Sequence, residues 1–167
     1  MPLSMYQASI PVFTRALHNL SSILTKGAAF AEARKIDPSV LIADRLAPDM
    51  FPLSRQVQLA CDFALRGSAR LAGNEPPSVP DTETSFPELQ ERIRGTLKFI
   101  GAVPREKIDG SEERPIKITV GGSDMTFTGR DYLLGFVLPN LFFHVTAAYL
   151  ILRHNGVELG KRDFLGA

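Results

Sequence analysis

Apolar residues recur three and four positions apart at Ile10, Phe13, Leu17, Leu20 and Leu24, a spacing that lines one face of an α-helix. Ser9 ahead of Ile10 and Pro11 can start this first helix; a start near Ser4 would instead leave Pro11 inside it as a kink. Gly27 is expected to weaken or end it. Residues 28–52 read as a connection with short helical pieces, in which Asp37 before Pro38 makes a cap and first-turn pair, and Pro48 and Pro52 punctuate the approach to the next helix. The second helix carries its stripe on Leu53, Val57, Ala60, Ala64 and Leu71 and stops at Gly73. The run NEPPSVPDTETS, rich in proline and without apolar period, is a surface loop.

Ser85 and Glu88 stand in capping-box spacing ahead of Leu89, Ile93, Leu97 and Ile100, which predicts a third helix closing near Gly101. From residue 114 to 128 the period changes. PIKITV and MTFTG alternate apolar and polar positions on either side of Gly121-Gly122-Ser123-Asp124, as a hairpin does, and a lone hairpin must pack on something larger. Thr128 and Asp131 can cap a fourth helix that runs to about Asn155, with Pro139 removing one backbone hydrogen bond and Gly156 suited to the left-handed residue past its end. The predicted architecture is mainly α: a four-helix bundle with a long crossover between helices one and two and a small β-hairpin between helices three and four, forming one domain over residues 1–167.

Residues 132–152 contain no Lys, Arg, Asp or Glu and are long enough to span a bilayer. Pro139, Asn140 and His144 fall near the middle, where hydrocarbon penalises them, and the other helices need an apolar partner, so this segment reads as a helix buried on every side. A soluble, cytoplasmic chain is therefore expected. Neither an export signal nor a possible disulfide argues otherwise, Cys61 being the single cysteine and reading as a small buried hydrophobe.

Composition narrows the partners. Nineteen Lys and Arg against eighteen Asp and Glu leave a net charge of +1, and the basic residues are scattered. Arg92, Arg94 and Lys98 read as a solvated helix face, and with no Trp and three Tyr there is little for nucleic acid to stack on. Near-zero net charge together with apolar helices points to a homodimer.

Chemistry centres on the fourth helix. Asn140 and His144 are four positions apart and share a face, so both can project between helices. His144 is read first as a core histidine satisfied by a neighbouring helix, for which Gln56, Gln58 and Asp62 on the second helix are available. An Asp62 carboxylate on its ring would equally suit a general base. Asp49, between prolines ahead of the second helix, can point at the bundle mouth or cap a helix. His18 and His154 read as surface residues. No nucleophile elbow, His-Glu-x-x-His, paired cysteines or dinucleotide fingerprint is present. Gly160-Lys161 lacks the rest of a phosphate loop and belongs to a tail anchored by Phe164 and Leu165.

The run PNLFFHVTAAYLILRHNGVELGKRDFLG, with PDMFPLSRQVQLACDFA upstream, resembles a bacterial family of unknown function within the DinB-like superfamily, and the resemblance covers essentially the whole chain. It implies a four-helix bundle with a crossover connection. It also implies a divalent metal such as zinc or nickel held by three histidines, one on helix two and two on helix four, and in some relatives a thiol-dependent transferase activity. Here His144 matches the second helix-four histidine, Asn140 stands at the first, and helix two offers only Gln58, Cys61 and Asp62.

With one expected ligand kept, the fold transfers and the function does not. The first reading is a bundle with a degenerate, metal-free pocket around His144, lined by Asn140, Gln58, Asp62 and Asp49, that binds a small molecule. The alternatives are a metal- or thiol-dependent transferase or hydrolase using His144 and Asp62 as catalytic groups, with His144 the ligand of any metal, and a homodimeric interaction module.

Overall fold

The computed structural model describes residues 3–166. Helix α1 (Met5–Arg34) starts at Ser4, whose hydroxyl accepts from the Gln7 backbone while the Gln7 side chain accepts from the Ser4 backbone. Of the two starts open from sequence, the earlier is taken, and Pro11 lies inside the helix on an exposed position. Gly27 does not end α1. A Cβ there would lie 3.0 Å from the Leu152 side chain and 3.4 Å from that of Phe86, so the glycine lets three helices approach, and α1 continues through part of the expected connection.

Helix α2 (Pro38–Ala43), capped by Asp37, packs against α1 and leads to α3 (Leu53–Leu71), which it also touches. Leu53, Val57, Ala60, Ala64 and Leu71 are all fully buried, as their stripe requires. Helix α4 (Phe86–Gly101) follows the proline-rich loop and is capped by Ser85; a short α5 (Arg105–Ile108) precedes the hairpin. Strands β1 (Ile116–Val120) and β2 (Ser123–Phe127) pair antiparallel, Ile116 opposite Phe127 and Val120 opposite Ser123. Their two-residue turn places Gly121 and Gly122 at φ 56° and 82°, the conformation in which glycine is free of strain.

The last long helix is continuous over Gly129–His154 but not uniform. It opens as α6 (Gly129–Asp131), widens into a π-helical turn at Tyr132–Val137 and continues as α7 (Leu138–His154). The wide turn lies just before Pro139. Leu138 N–H reaches back to the Leu133 carbonyl, and Pro139, which has no N–H and whose ring would crowd the carbonyl four residues earlier, is accommodated without breaking the helix. Helix α7 packs chiefly on α3 and also on α1, burying Leu141, Val145, Ala148, Ile151 and Leu152. A short α8 (Lys161–Leu165) closes the chain, with Phe164 edge-on to Tyr149 and Leu165 exposed rather than anchored.

Gly129–His154 is long and apolar enough to cross a membrane. It is not buried on every side. Leu134, Phe143 and Leu150 are 53%, 56% and 42% exposed, because the bundle covers only the face turned to α1 and α3.

Candidate functional site

His144 is 7% exposed and faces α3. Its Nδ1 lies 2.8 Å from Oε1 of Gln56, and the Gln56 amide nitrogen in turn donates to the Phe51 carbonyl at 3.1 Å. That second bond orients the amide so that its oxygen meets the imidazole, which makes Nδ1 the protonated nitrogen and leaves the lone pair on Nε2. Nε2 makes no hydrogen bond among the described residues. Phe63 stacks on the ring at 5.6 Å and Phe143 meets it edge-on at 5.3 Å. Burial, with the Arg55 charge second, pushes the imidazole down to about 4 from its ordinary 6.5, so it is neutral near pH 7.

Asp62 is not the partner of His144. Its Oδ1 accepts from Arg92 at 2.6 Å and its Oδ2 from Arg66 at 3.1 Å. Gln56 and Phe63, seven residues apart, share the α7 side of α3, whereas Gln58 and Asp62, four apart, lie toward α4 and the loop before it. Gln58 donates to Glu83 and accepts from Arg55. Arg92 is the centre of this second cluster: its side chain is 3% exposed and also reaches Glu83 at 3.1 Å and Asp81 at 3.3 Å. The solvated face expected for Arg92 is thus corrected, since Arg92 adjoins the buried Ile93 and turns inward, while Arg94 and Lys98 stay outside.

Asn140 shares the π-turn region but serves its own helix, donating to the Phe136 carbonyl at 2.7 Å. Asp49 is exposed and makes no side-chain hydrogen bond among the described residues, and the α3 N-terminus is met by the Asp44 carbonyl instead. His18 and His154 are exposed. Cys61 is buried inside the bundle, where desolvation pushes its thiol up to about 12.

The residues around His144 do not fit a divalent metal. One ring nitrogen is free, the other is committed to an amide that is itself bonded, and the remaining neighbours are phenyl rings. No group of three His, Cys, Asp or Glu side chains is placed to hold a metal ion among the described residues.

Open space adjoins Phe63. A cleft of about 310 Å³ runs between α3, β1 and the π-helical turn; Phe63, Phe136 and Leu59 supply apolar wall, and Arg66, Arg70 and Tyr132 supply polar groups. His144 does not line it. An aromatic series joins the two places: Phe127 to Phe136 at 5.6 Å, Phe136 to Phe63 at 5.7 Å, Phe63 to His144. Of the residues expected around the pocket, only Asp62 reaches this cleft. Arg70 and Tyr132 were not legible as a pair, since their contact spans 62 positions of sequence.

The model of a domain of unknown function, DUF1993, matches residues 5–165. No curated protein matches the chain. Among solved structures, a DinB family member from Shewanella denitrificans is 42% identical, with 97% of this chain and 92% of that one covered and a TM-score of 0.88. The match extends over nearly the whole of both chains, and the chain belongs to the DUF1993 family, with the DinB-like fold.

Proposed function

We propose that this protein binds a small molecule without a metal, in the cleft between α3, β1 and the π-helical turn. The observation that carries this reading is the cleft itself: about 310 Å³ of space with aromatic walls and a few converging polar groups, the usual composition of a ligand site. A π-helical turn forms one side, and such turns are concentrated at functional positions. A thermal-shift screen against metabolite-sized compounds tests it, run in parallel on Val120→Trp, which places an indole in the cleft from the end of β1. Ligands that raise the wild-type melting temperature should lose their effect in the variant. Shifts that persist in Val120→Trp would place binding elsewhere.

A second reading treats His144 as a general base. It is favoured by the Gln56 contact, which holds the proton on Nδ1 and leaves Nε2 as an unbonded acceptor. An ester and amide hydrolysis panel comparing wild type with His144→Gln tests this, and equal rates for both would end it.

A further inference from the structure

Arg70 is half-buried, and no carboxylate stands within ion-pair distance of it among the described residues. Its Nη1 instead donates to the phenol oxygen of Tyr132 at 3.0 Å. Tyr132 is 1% exposed, and with its oxygen used as an acceptor its own O–H finds no acceptor among the described residues. A buried hydroxyl proton and a guanidinium without a counter-ion both stand in the wall of one cleft, where unmatched donors are costly. Arg66, one turn before Arg70, also lines the cleft, but its charge is met by Asp62, so Arg70 is the cationic group there left without a carboxylate among the described residues.

The carboxylates nearby do not answer this demand. Asp62 lines the cleft, but its two oxygens are taken by Arg92 and Arg66. Asp124, across the hairpin, accepts from the Thr119 hydroxyl; it lines a neighbouring depression together with Lys117 and Arg70 but forms no ion pair with Arg70, and it does not line the cleft. What is missing is an acceptor bearing negative charge. Next to these donors lie Phe63, Phe136 and Leu59, which require an apolar body.

We infer that the cleft takes an amphipathic oxyanion, a carboxylate or phosphate monoester on a flat apolar group. Its oxygens accept from Arg70 and from the Tyr132 hydroxyl, and its ring or chain lies against Phe63 and Phe136. The inference rests on the cleft being the ligand site and adds the sign and chemistry of the ligand. A guanidinium and a phenol that already touch form a prepared two-donor clamp, and a planar fork suits either oxyanion.

The test uses the full chain and three probes of one shape: phenylacetate, phenyl phosphate and the neutral phenylacetamide, each titrated by calorimetry and by NMR. At least one of the two anions is expected to bind at millimolar concentration or below, and the tighter of them identifies the oxyanion source. The amide is expected to bind at least about tenfold more weakly. Arg70→Met and Tyr132→Phe should each weaken the anion about tenfold or more, while Arg70→Lys, which keeps the charge, retains part of the affinity. Circular dichroism confirms that each variant is folded. Equal binding of anion and amide overturns the inference while leaving the cleft as a ligand site. Anion binding that is lost in Val120→Trp but indifferent to Arg70→Met and Tyr132→Phe also overturns it, as does the absence of saturable binding by either anion. Anion binding unchanged in Val120→Trp overturns both this inference and the cleft.

Discussion

Gln56 and His144 are 88 positions apart in sequence and 2.8 Å apart in the fold, oxygen to Nδ1, across the contact between α3 and α7. A neutral amide in this place accepts the ring proton without offering the negative charge that would hold a second proton. Together with burial, this keeps the imidazole uncharged over most of the physiological range.

The pH dependence of stability follows from that pair. The folded-state value of His144, about 4, lies below the ordinary 6.5, so between these limits the unfolded chain binds a proton that the folded chain does not. Stability is therefore complete above 6.5 and is lost as the pH falls toward 4. Melting temperatures measured across this window should fall more steeply for wild type than for His144→Gln. Parallel curves would show that the ring contributes no linkage.

Removing Asp62 strands Arg92. Its side chain is 3% exposed, and its shortest ion pair would vanish, leaving Glu83 and Asp81 as partial substitutes. Asp62→Ala is expected to cost on the order of 3 kcal/mol in urea unfolding, toward the lower end for a broken buried pair. A loss below about 1 kcal/mol would mean that the remaining carboxylates suffice.

Protein prepared without a histidine tag should carry far less than one transition metal per chain, because the His144 neighbourhood supplies one strong donor where a tight site needs three or four. Elemental analysis decides the matter. A stoichiometric metal that disappears in His144→Ala would show that a donor set forms which the free fold does not display.

Phe143 and Leu150 lie seven residues apart on the outer face of α7, 56% and 42% exposed. Such a stripe is expected to be covered by a second copy of the chain. Sedimentation equilibrium should give a dimer at micromolar concentration for wild type and a monomer for Phe143→Glu. A wild-type monomer removes this expectation.

The fold was legible because three- and four-residue spacings and one two-residue alternation occupy most of the chain, and caps at Asp37, Ser85 and Thr128 mark real starts. Gly27 misleads because the same residue serves as a helix breaker in solution and as a close-approach position between packed helices, and only the partner, Leu152, decides. The site was half legible. Sequence spacing shows that Gln58 and Asp62 share one face of α3 and that Gln56 and Phe63 share another; it does not say which face meets α7. Arg92 was hidden for a related reason: its counter-ions come from a different helix and a loop, and neither lies within a turn of it.

The π-helical turn at Tyr132–Val137 has a consequence for how the last long helix can vary. A wide turn holds one residue more than an α-helical turn, so the segment facing the hairpin and the segment facing Gln56 are set at angular phases that differ by roughly 100° from an unbroken helix. Deleting a single residue there would restore ordinary winding and swing Tyr132 and Phe136 around the axis while His144 kept its place on α3. The clamp at Arg70 and the imidazole contact are thus geared separately along one rod, and a one-residue change in length could dismantle the first without disturbing the second.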